Sequence, residues 1–522
     1  MLEPGIRELY SKRKVYMQES RVGNASRNMF FGMILKGYQI LLPFFMRLAI
    51  MRCMGMDYLG LNSLFGSVLW VLSLAELGVG SAMVYSMYQP IVDGDKKEIC
   101  ALLKLYRTYY RIIGIIIAVV GMILTPFIPH LIKDDVPADI NVYIVYWLNL
   151  FCTVMSYWLF AYKNSLLVAH QRNDVASKVT LATNTFQYAL QLIIVIFLKD
   201  YYVYLVVSIV TQVLTNIIVA YYASKLYPEY QPEGDLPRER ISRINGRIKD
   251  LFTMKLGIVI VSSVDTIVIS AFFGITMVAI YQNYNYIITA VMGIVKVVFD
   301  SCMSGVGHSI LVETEEKNYS DLKKLTFISA WLIGFCSACL LCLFQPFMRV
   351  YAGDDSLLSF ACVICFVVYF FVNQINQLFI TYKDAAGIWH EDRFRPLVTA
   401  LVNLVLNLIL VNFIGLYGVL LATVISILFV GMPWILHNLF TVLFKRNAKE
   451  YLGKLAFYTI VTIVVCVISL YVCNFVPDNG IPTMILKGLI CAVVSNVLFL
   501  LAYFKTKEFG QTLELVKRIV KR

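Results

Sequence analysis

The chain has 522 residues, of which 59% are hydrophobic and only 15% charged, with a mean hydropathy of +0.72 and a formal net charge of +12. Soluble globular proteins carry roughly 45–50% apolar and 25% charged residues. Apolar runs of about 20 residues, the length that crosses a bilayer core, follow one another along most of the chain. The sequence therefore predicts an all-α polytopic membrane protein and excludes a soluble enzyme.

The predicted elements begin after a polar, basic N-terminal segment at residues 1–28. Fourteen transmembrane helices are predicted, at 29–51, 60–85, 109–131, 140–162, 177–198, 201–223, 252–273, 278–306, 325–346, 356–380, 396–413, 416–440, 455–474 and 481–504. In the basic tail, 505–522, one helical face carries Phe509, Leu513, Val516 and Val520. That pattern is typical of an amphipathic helix on the membrane surface, and a solvated tail is the alternative.

An internal repeat organises the spans. At an offset of 220 residues, AYKNSLLVAHQ (161–171) aligns with TYKDAAGIWHE (381–391). Six spans separate the copies, so both insert with the same orientation, as in transporters built from parallel repeats. Residues 224–251 are rich in proline, glycine and charge and predict a linker. The predicted domains are an N-lobe at 29–223 (spans 1–6), this cytoplasmic linker, a C-lobe at 252–440 (spans 7–12) and two appended helices at 455–504.

The basic residues predict the sidedness of the chain. Of 45 lysines and arginines, 37 lie in or at the edges of the segments on the side of the termini. The opposite loops hold four: Arg52, Lys133, Lys199 and Arg349. Since cytoplasmic loops carry the excess of basic residues, both termini are predicted in the cytoplasm.

Charged residues within the spans are the main candidates for function, because each costs about 2.5–3.5 kcal/mol to insert. We predict that Lys36, Arg47 and Lys296 bind a phosphate or pyrophosphate in a substrate cavity. The predicted residues for charge balance or ion coupling are Glu76, Asp265 and Asp300. The alternative is simple ion pairing, since Lys296 and Asp300 lie four residues apart on one helix.

Polar side chains in spans 8 and 10 are candidates for sugar contacts. They are Tyr281, Asn283, Tyr284, Asn373, Gln374 and Gln377. Amides and tyrosine rings can bond to and stack on sugars, although hydrogen bonds between membrane helices use the same residue types. We therefore keep both interpretations.

Motifs for catalysis or cofactor binding do not occur. The sequence has no GxxxxGK[ST], HExxH or GxSxG, and most of its 12 cysteines lie within apolar runs. We predict no catalytic residue, no metal site and no cofactor. Coupling of transport to a gradient of H⁺ or Na⁺ stays open.

Long stretches of the first half resemble a known family. NASRNMFFGMILKGYQILLPFFMRLAI (24–50), DYLGLNSLFGSVLWVLSLAELGVGSAMVYSMYQPI (57–91) and YRIIG (110–114) are similar to Wzx-type polysaccharide flippases. These form the polysaccharide transporter branch of the multidrug/oligosaccharidyl-lipid/polysaccharide (MOP) exporter superfamily. AIYQNYNYI (279–287) resembles that family's Gly-x-Tyr-Ser-Asn-Tyr stretch, from which Ala279 and Gln282 depart.

The resemblance implies that the chain moves undecaprenyl-pyrophosphate-linked oligosaccharide repeat units from the inner to the outer leaflet of the bacterial cytoplasmic membrane. It implies alternating access and a role in surface polysaccharide biosynthesis. The implied partners are lipid-linked oligosaccharide, membrane lipids, a polysaccharide polymerase and glycosyltransferases. Nucleic acid is not among them. Family cavities bear basic residues on spans 1, 2, 7 and 8. This chain departs in having Glu76 in span 2 and Asp265 in span 7, with Lys255 at the cytoplasmic edge of span 7.

Three alternatives remain. A lipid II flippase of the same superfamily is disfavoured by the AELGVGSAMVYSMY match. A multidrug (MATE-like) exporter would be expected to have twelve spans and an acidic cavity. A membrane glycosyltransferase or ligase would be expected to have a large outer loop bearing acids or histidines, which the short outer loops do not provide.

Overall fold

The computed structural model describes residues 27, 31–76, 78–133, 136–478 and 480–520, without the side chains of 250, 254, 262, 304 and 515–520. Across these ranges all regular structure is helical, which confirms the all-α membrane fold class. Thirteen helices of the described part are long and apolar enough to cross a membrane. Val142–Trp158 and Ala161–Ala169, bent by 46°, make a fourteenth span if they are counted as one.

The chain divides into two compact units, Met1–Lys255 (unit 1) and Leu256–Arg522 (unit 2). The helices of unit 1 are α1 Phe31–Cys53, α2 Met56–Leu72, α3 Val79–Asp93, α4 Lys96–Leu124, α5 Val142–Trp158, α6 Asn164–Ala169, α7 Asn173–Ile193 and α8 Tyr201–Leu226. Helix α9, Arg238–Phe273, begins in unit 1 and ends in unit 2. The further helices of unit 2 are α10 Ile275–Val312, α11 Glu315–Ala352, α12 Phe360–Ala385, α13 Arg395–Ile414, α14 Leu416–Ser426, α15 Met432–Asn438, α16 Lys449–Cys473, α17 Ile481–Tyr503 and α18 Lys507–Val520.

Polar side chains cap the amino ends of several of these helices. Asp95 accepts a hydrogen bond from the backbone N–H of Glu98 at the start of α4, and Asp200 caps α8 in the same way. Each cap satisfies a backbone donor that has no partner within the helix. Helices α9 to α11 have 36 to 38 residues. At 1.5 Å per residue they exceed the bilayer core of about 30 Å, so their ends extend beyond it.

The second predicted span is broken. Helix α2 ends at Leu72, a 3₁₀ turn follows at Ser73–Glu76, and α3 begins at Val79. Gly78 has a φ of 89°, in the left-handed region where a side chain is unfavourable. A Cβ at this position would lie 2.7 Å from the Cβ of Leu251, so the absence of a side chain lets α3 begin close to α9. The break places Glu76 at the junction of two half-helices.

The second copy of the repeat contains a buried ionic cluster. Asp392 accepts hydrogen bonds from Arg395 at 2.7 and 2.9 Å, and Lys383 Nζ lies 3.5 Å from the same carboxylate. The side chains of these three residues are 3–8% exposed. In the first copy, Lys163, which aligns with Lys383, donates to Ser224 Oγ at 2.5 Å. Both lysines therefore hold neighbouring segments by polar contacts.

Helices α16 and α17, the two appended helices of the sequence prediction, pack on α11. Phe327, Tyr458, Phe499 and Tyr503 form a buried aromatic cluster there. Helix α18 follows, and its Phe509 stacks on Trp331 with ring centroids 6.2 Å apart.

The first turn of α18 also carries an ion pair, between Glu508 and Lys454. Burial raises the pKa of Glu508, but the hydrogen bond and charge of Lys454 outweigh burial and hold that pKa below its usual value. The predicted N-terminal segment 1–28, apart from Arg27, and the side chains of the tail beyond residue 514 lie outside the described residues.

Candidate functional site

A carboxylate surrounded by uncharged side chains lies within unit 2. Asp265, on α9, accepts hydrogen bonds from Asn407 Nδ2 at 2.9 Å, Thr423 Oγ1 at 3.2 Å and Tyr281 OH at 3.4 Å. Asn403 extends this cluster by donating to Thr423 Oγ1 at 2.9 Å. The residues come from α9, α10, α13 and α14, and among the described residues no ion pair neutralises Asp265.

The chemistry of this Asp265 cluster suits a small cation. Its ligands would be carboxylate, amide and hydroxyl oxygens, which hard cations prefer. Asn407 Oδ1 is buried and has no hydrogen-bond donor among the described residues, so one oxygen of the cluster lacks a partner. A single carboxylate balances one positive charge, which corresponds to a monovalent cation or a proton.

The predicted phosphate-binding cations lie in both units. Lys36 is exposed and Arg47 half-buried, both on α1. In unit 2, Lys296 Nζ lies 2.9 Å from Asp300 Oδ1, and the two side chains are 53% and 55% exposed. The ion pair considered as the alternative is therefore present. Phosphate binding by the three cations stays a prediction.

The six predicted sugar contacts lie in the helices of unit 2. Tyr284 stacks on Phe366 with ring centroids 5.7 Å apart, and its hydroxyl donates to Gln345 Oε1 at 3.0 Å. Asn283 and Gln374 are 1% and 2% exposed. Tyr281 is buried beside Asp265, whereas Asn373 and Gln377 are half-buried. Contacts of this kind are those of helix–helix packing, and the sugar role stays a prediction.

Unit 1 contains a partly open cavity of about 870 Å³. Side chains from α1, α3, α4, α6, α7 and α8 line it. The lining includes six amides and four tyrosines: Gln39, Asn164, Asn184, Gln187, Gln212, Asn216, Tyr85, Tyr88, Tyr106 and Tyr110. Of the site residues predicted from the sequence, Glu76 lies in this lining. No lysine, arginine or histidine occurs among the described lining residues.

Glu76 is held in place by two tyrosines of α4. Tyr110 OH donates to Glu76 Oε1 at 3.1 Å, and Tyr106 OH donates to Tyr110 OH at 2.7 Å. The carboxylate also lies at the first turn of α3, with Oε1 3.2 Å from the position a Cβ of Gly80 would take. The amino end of a helix carries roughly half a positive charge and stabilises a nearby carboxylate. The break in the span therefore supplies a fixed anionic acceptor to the cavity.

Two basic residues of α9 border the cavity. Lys255 Nζ donates to Ser81 Oγ at 3.3 Å, and the guanidinium of Arg247 lies 4.5 Å from the centre of the Tyr85 ring. Ser81 and Tyr85 both line the cavity, one helical turn apart on α3. Unit 1 thus presents a basic border next to an interior of amides, tyrosines and one carboxylate.

Comparison with protein families gives the identification. A family model described as "Polysaccharide biosynthesis protein" matches residues 26–302, which is more than half of the chain. The chain belongs to this family. Among curated protein sequences, none matches the chain significantly.

Solved structures share the fold of this family member. The structure of the lipid II flippase MurJ in an inward closed conformation matches with a TM-score of 0.67 at 15% identity, covering 91% of this chain and 99% of that one. An inward-facing multidrug resistance MATE family transporter matches with a TM-score of 0.57 at 13% identity, covering 77% and 93%. A MOP superfamily transporter from Pyrococcus furiosus matches with a TM-score of 0.52 at 14% identity, covering 81% of this chain and 96% of that one. The chain therefore has the fold of these MOP superfamily structures.

Sequence reasoning missed most of the cavity of unit 1. It identified Glu76 by its charge but passed over the uncharged amides of spans 5 and 6. A signal was present, because Gln187 and Gln191, and likewise Gln212 and Asn216, lie four residues apart in otherwise apolar runs. Such spacing places each pair on one helical face.

A group of thiols in unit 2 also escaped prediction. The Sγ atoms of Cys342, Cys473 and Cys491 lie within 4.8 Å of one another, on α11, α16 and α17. Cys491 Sγ is also 3.9 Å from Cys339 Sγ. Three thiols at this spacing could ligate a soft metal ion, and they also pack as small apolar side chains.

Proposed function

We propose that the chain is a flippase that moves undecaprenyl-pyrophosphate-linked oligosaccharide repeat units from the inner to the outer leaflet of the bacterial cytoplasmic membrane. The observation that carries this proposal is the polar cavity of unit 1, with its basic border, in a membrane-spanning member of a polysaccharide biosynthesis family. The repeat units would serve surface polysaccharide synthesis, with glycosyltransferases that supply them and a polymerase that consumes them as partners.

The cavity supplies what the cargo needs to cross the membrane. A sugar-phosphate head cannot enter hydrocarbon unaided, because burying each unpaired polar or charged group is strongly unfavourable. Amides and tyrosines replace water around sugar hydroxyls. Lys255 and Arg247 at the border would hold the pyrophosphate while the lipid tail stays in the bilayer. Phosphate binding by Lys36, Arg47 and Lys296 is a separate part of the proposal, made from the sequence.

The direction of transport follows from the proposed orientation. With both termini in the cytoplasm, as the distribution of basic residues supports, Lys255 and Arg247 lie toward the cytoplasmic side, where lipid-linked units are assembled. Moving an anion outward across an inside-negative membrane gains about 2.3 kcal/mol per charge per 100 mV. The Asp265 cluster would bind a coupling cation, Na⁺ or a proton, whose inward movement adds to this driving force.

Export in a bacterial strain that lacks its own flippase tests the proposal. Expression of the chain together with the matching glycan genes should restore surface polysaccharide. Replacing Arg47 or Lys296 with Ala should abolish surface polysaccharide while lipid-linked units accumulate in the inner leaflet. Full export by both variants would remove these two residues from the proposed phosphate site, and absence of export by the wild-type chain would contradict the flippase assignment.

A further inference from the structure

The amides of the unit 1 cavity differ in how their hydrogen-bonding groups are used. Gln212 Nε2 donates to Asn216 Oδ1 at 3.2 Å, and Asn216 Nδ2 donates to the carbonyl of Ser156 at 3.1 Å. In contrast, the side chains of Asn164 and Asn184 make no hydrogen bond with any described residue, although both line the cavity. Two amides on α6 and α7 thus face the cavity with spare donors and acceptors.

Unused amides inside a membrane protein need a polar partner. Asn164 is exposed and Asn184 half-buried, so the partner of each amide is water, which a bound ligand can replace. An amide donates and accepts at once, which matches the hydroxyl and acetamido groups of sugars. Tyr85 and Tyr88, both exposed, add aromatic surface on α3 for the apolar face of a sugar ring. A volume of about 870 Å³ lies in the range that encloses a drug-sized ligand, so the cavity can take more than one sugar ring.

The charge of the cavity sets which sugars it can take. Glu76 is an anionic acceptor fixed by Tyr110, and the described lining supplies no cation to neutralise an acidic sugar. A uronate or other anionic sugar beside Glu76 would meet like-charge repulsion at reduced dielectric, whereas a hydroxyl or acetamide N–H can donate to the carboxylate. Lys255 and Arg247 lie at the border of the cavity, in contact with the lining residues Ser81 and Tyr85.

We propose that the cavity of unit 1 is a saccharide subsite that takes uncharged sugar residues, neutral hexoses or N-acetylamino sugars, and excludes uronic acids. The anionic pyrophosphate end of the same cargo would stay at the border formed by Lys255 and Arg247. This inference rests on the proposed flippase function and names the class of repeat unit: one whose sugars nearest the lipid carry no acid.

Binding of free sugars to the full-length protein in lipid nanodiscs tests the subsite without requiring transport. The probes are N,N′-diacetylchitobiose, which is uncharged, and a disaccharide of glucuronic acid and N-acetylglucosamine, followed by ligand-observed NMR and equilibrium dialysis. The uncharged probe should bind about tenfold tighter or more than the acidic one. Glu76→Gln, which preserves side-chain volume, should reduce this ratio to about threefold or less by improving binding of the acidic probe.

A matched pair of variants locates the effect in the cavity. Asn184→Asp places a second carboxylate in the lining and should further weaken binding of the acidic probe. Asn412→Asp makes the same change at an exposed position on α13 of unit 2 and should leave both affinities unchanged. Each variant is accepted only if it elutes as a single species and melts within a few degrees of the wild type.

The outcomes separate the subsite from the flippase proposal. Equal affinities of the wild type for the two probes, no binding of either probe, or a ratio unaltered by Glu76→Gln would overturn the subsite. If the protein nevertheless transports lipid-linked oligosaccharide in vesicles, the flippase proposal stands without it. Sugar binding with the predicted selectivity but no transport would instead contradict the flippase proposal.

Discussion

Neutralising Asp265 is the sharpest perturbation of the proposed ion coupling. Asp265→Asn keeps the volume of the side chain and can keep contacts with Asn407, Thr423 and Tyr281, which are uncharged. What the substitution removes is the negative charge. Because the cluster contains no other ionised group among the described residues, that charge is the main attraction for a cation.

The size of the effect follows from the geometry. Two unit charges about 4 Å apart interact by about 4 kcal/mol at an effective dielectric constant of 20. Since every 1.4 kcal/mol changes a dissociation constant tenfold, the variant should bind a monovalent cation about three orders of magnitude more weakly. A cation at 100 times its dissociation constant stabilises the folded wild type by about 2.7 kcal/mol, and the variant should lose nearly all of this stabilisation.

The assay measures thermal unfolding of the purified protein in detergent as Na⁺ replaces choline at constant ionic strength. Wild-type protein should show a rising Tm, and Asp265→Asn a flat one. Asp354→Asn is the control, because Asp354 is 74% exposed in an ion pair with Arg349 and contributes at most about 1 kcal/mol. If the wild type does not respond to Na⁺ but its transport depends on a pH gradient, the cation is a proton. Transport by Asp265→Asn at the wild-type rate under both gradients would refute the reasoning.

Three further predictions concern the border of the cavity, the broken span and the ionic cluster of the repeat. Lys255→Gln should lower transport of the lipid-linked substrate about tenfold by removing a phosphate contact, whereas Lys249→Gln on the same helix should not, as measured by flipping in vesicles. Gly78→Ala should lower the free energy of unfolding by more than about 1 kcal/mol. The new Cβ would sit on a residue with a φ of 89° and would lie 2.7 Å from the Cβ of Leu251. An unchanged Tm would contradict this close packing. Asp392→Asn should destabilise unit 2 by about 3–5 kcal/mol, because it leaves the buried Arg395 without its carboxylate, whereas Lys383 keeps its ion pair with Asp384. Asp235→Asn, in an ion pair whose acid is 88% exposed, should change stability by less than about 1 kcal/mol, and equal denaturation midpoints for both variants would show that the buried cluster is unimportant.

The membrane fold could be predicted from the sequence because each span has to be apolar and long enough to cross the bilayer core by itself. An apolar run of sufficient length is a local property, and the described helices follow the predicted spans. The break at Ser73–Glu76 was not predicted, since hydropathy does not distinguish one continuous helix from two half-helices joined by a 3₁₀ turn. Gly78 offered a signal, but a glycine in a membrane helix has several structural roles.

The site was harder to predict than the fold because its contacts are distant in sequence. Glu76 and Asp265 were identified from the sequence because a charged residue within an apolar span is costly to insert and therefore indicates a function. The partner Asn407 lies 142 residues from Asp265 along the chain, so nothing local links them. The cavity of unit 1 depends on uncharged amides from several helices, such as Asn184 and Gln212, whose side chains converge only in three dimensions.

The most direct test of the flippase proposal is leaflet exchange by the purified protein. Proteoliposomes containing the chain are loaded with fluorescent undecaprenyl-pyrophosphate-linked oligosaccharide, and a membrane-impermeant quencher reports the fraction of label in the outer leaflet over time. The proposal predicts that the protein accelerates exchange of this substrate, that lipid II is exchanged more slowly, and that Lys255→Gln reduces the rate. Exchange no faster than in protein-free liposomes would contradict it.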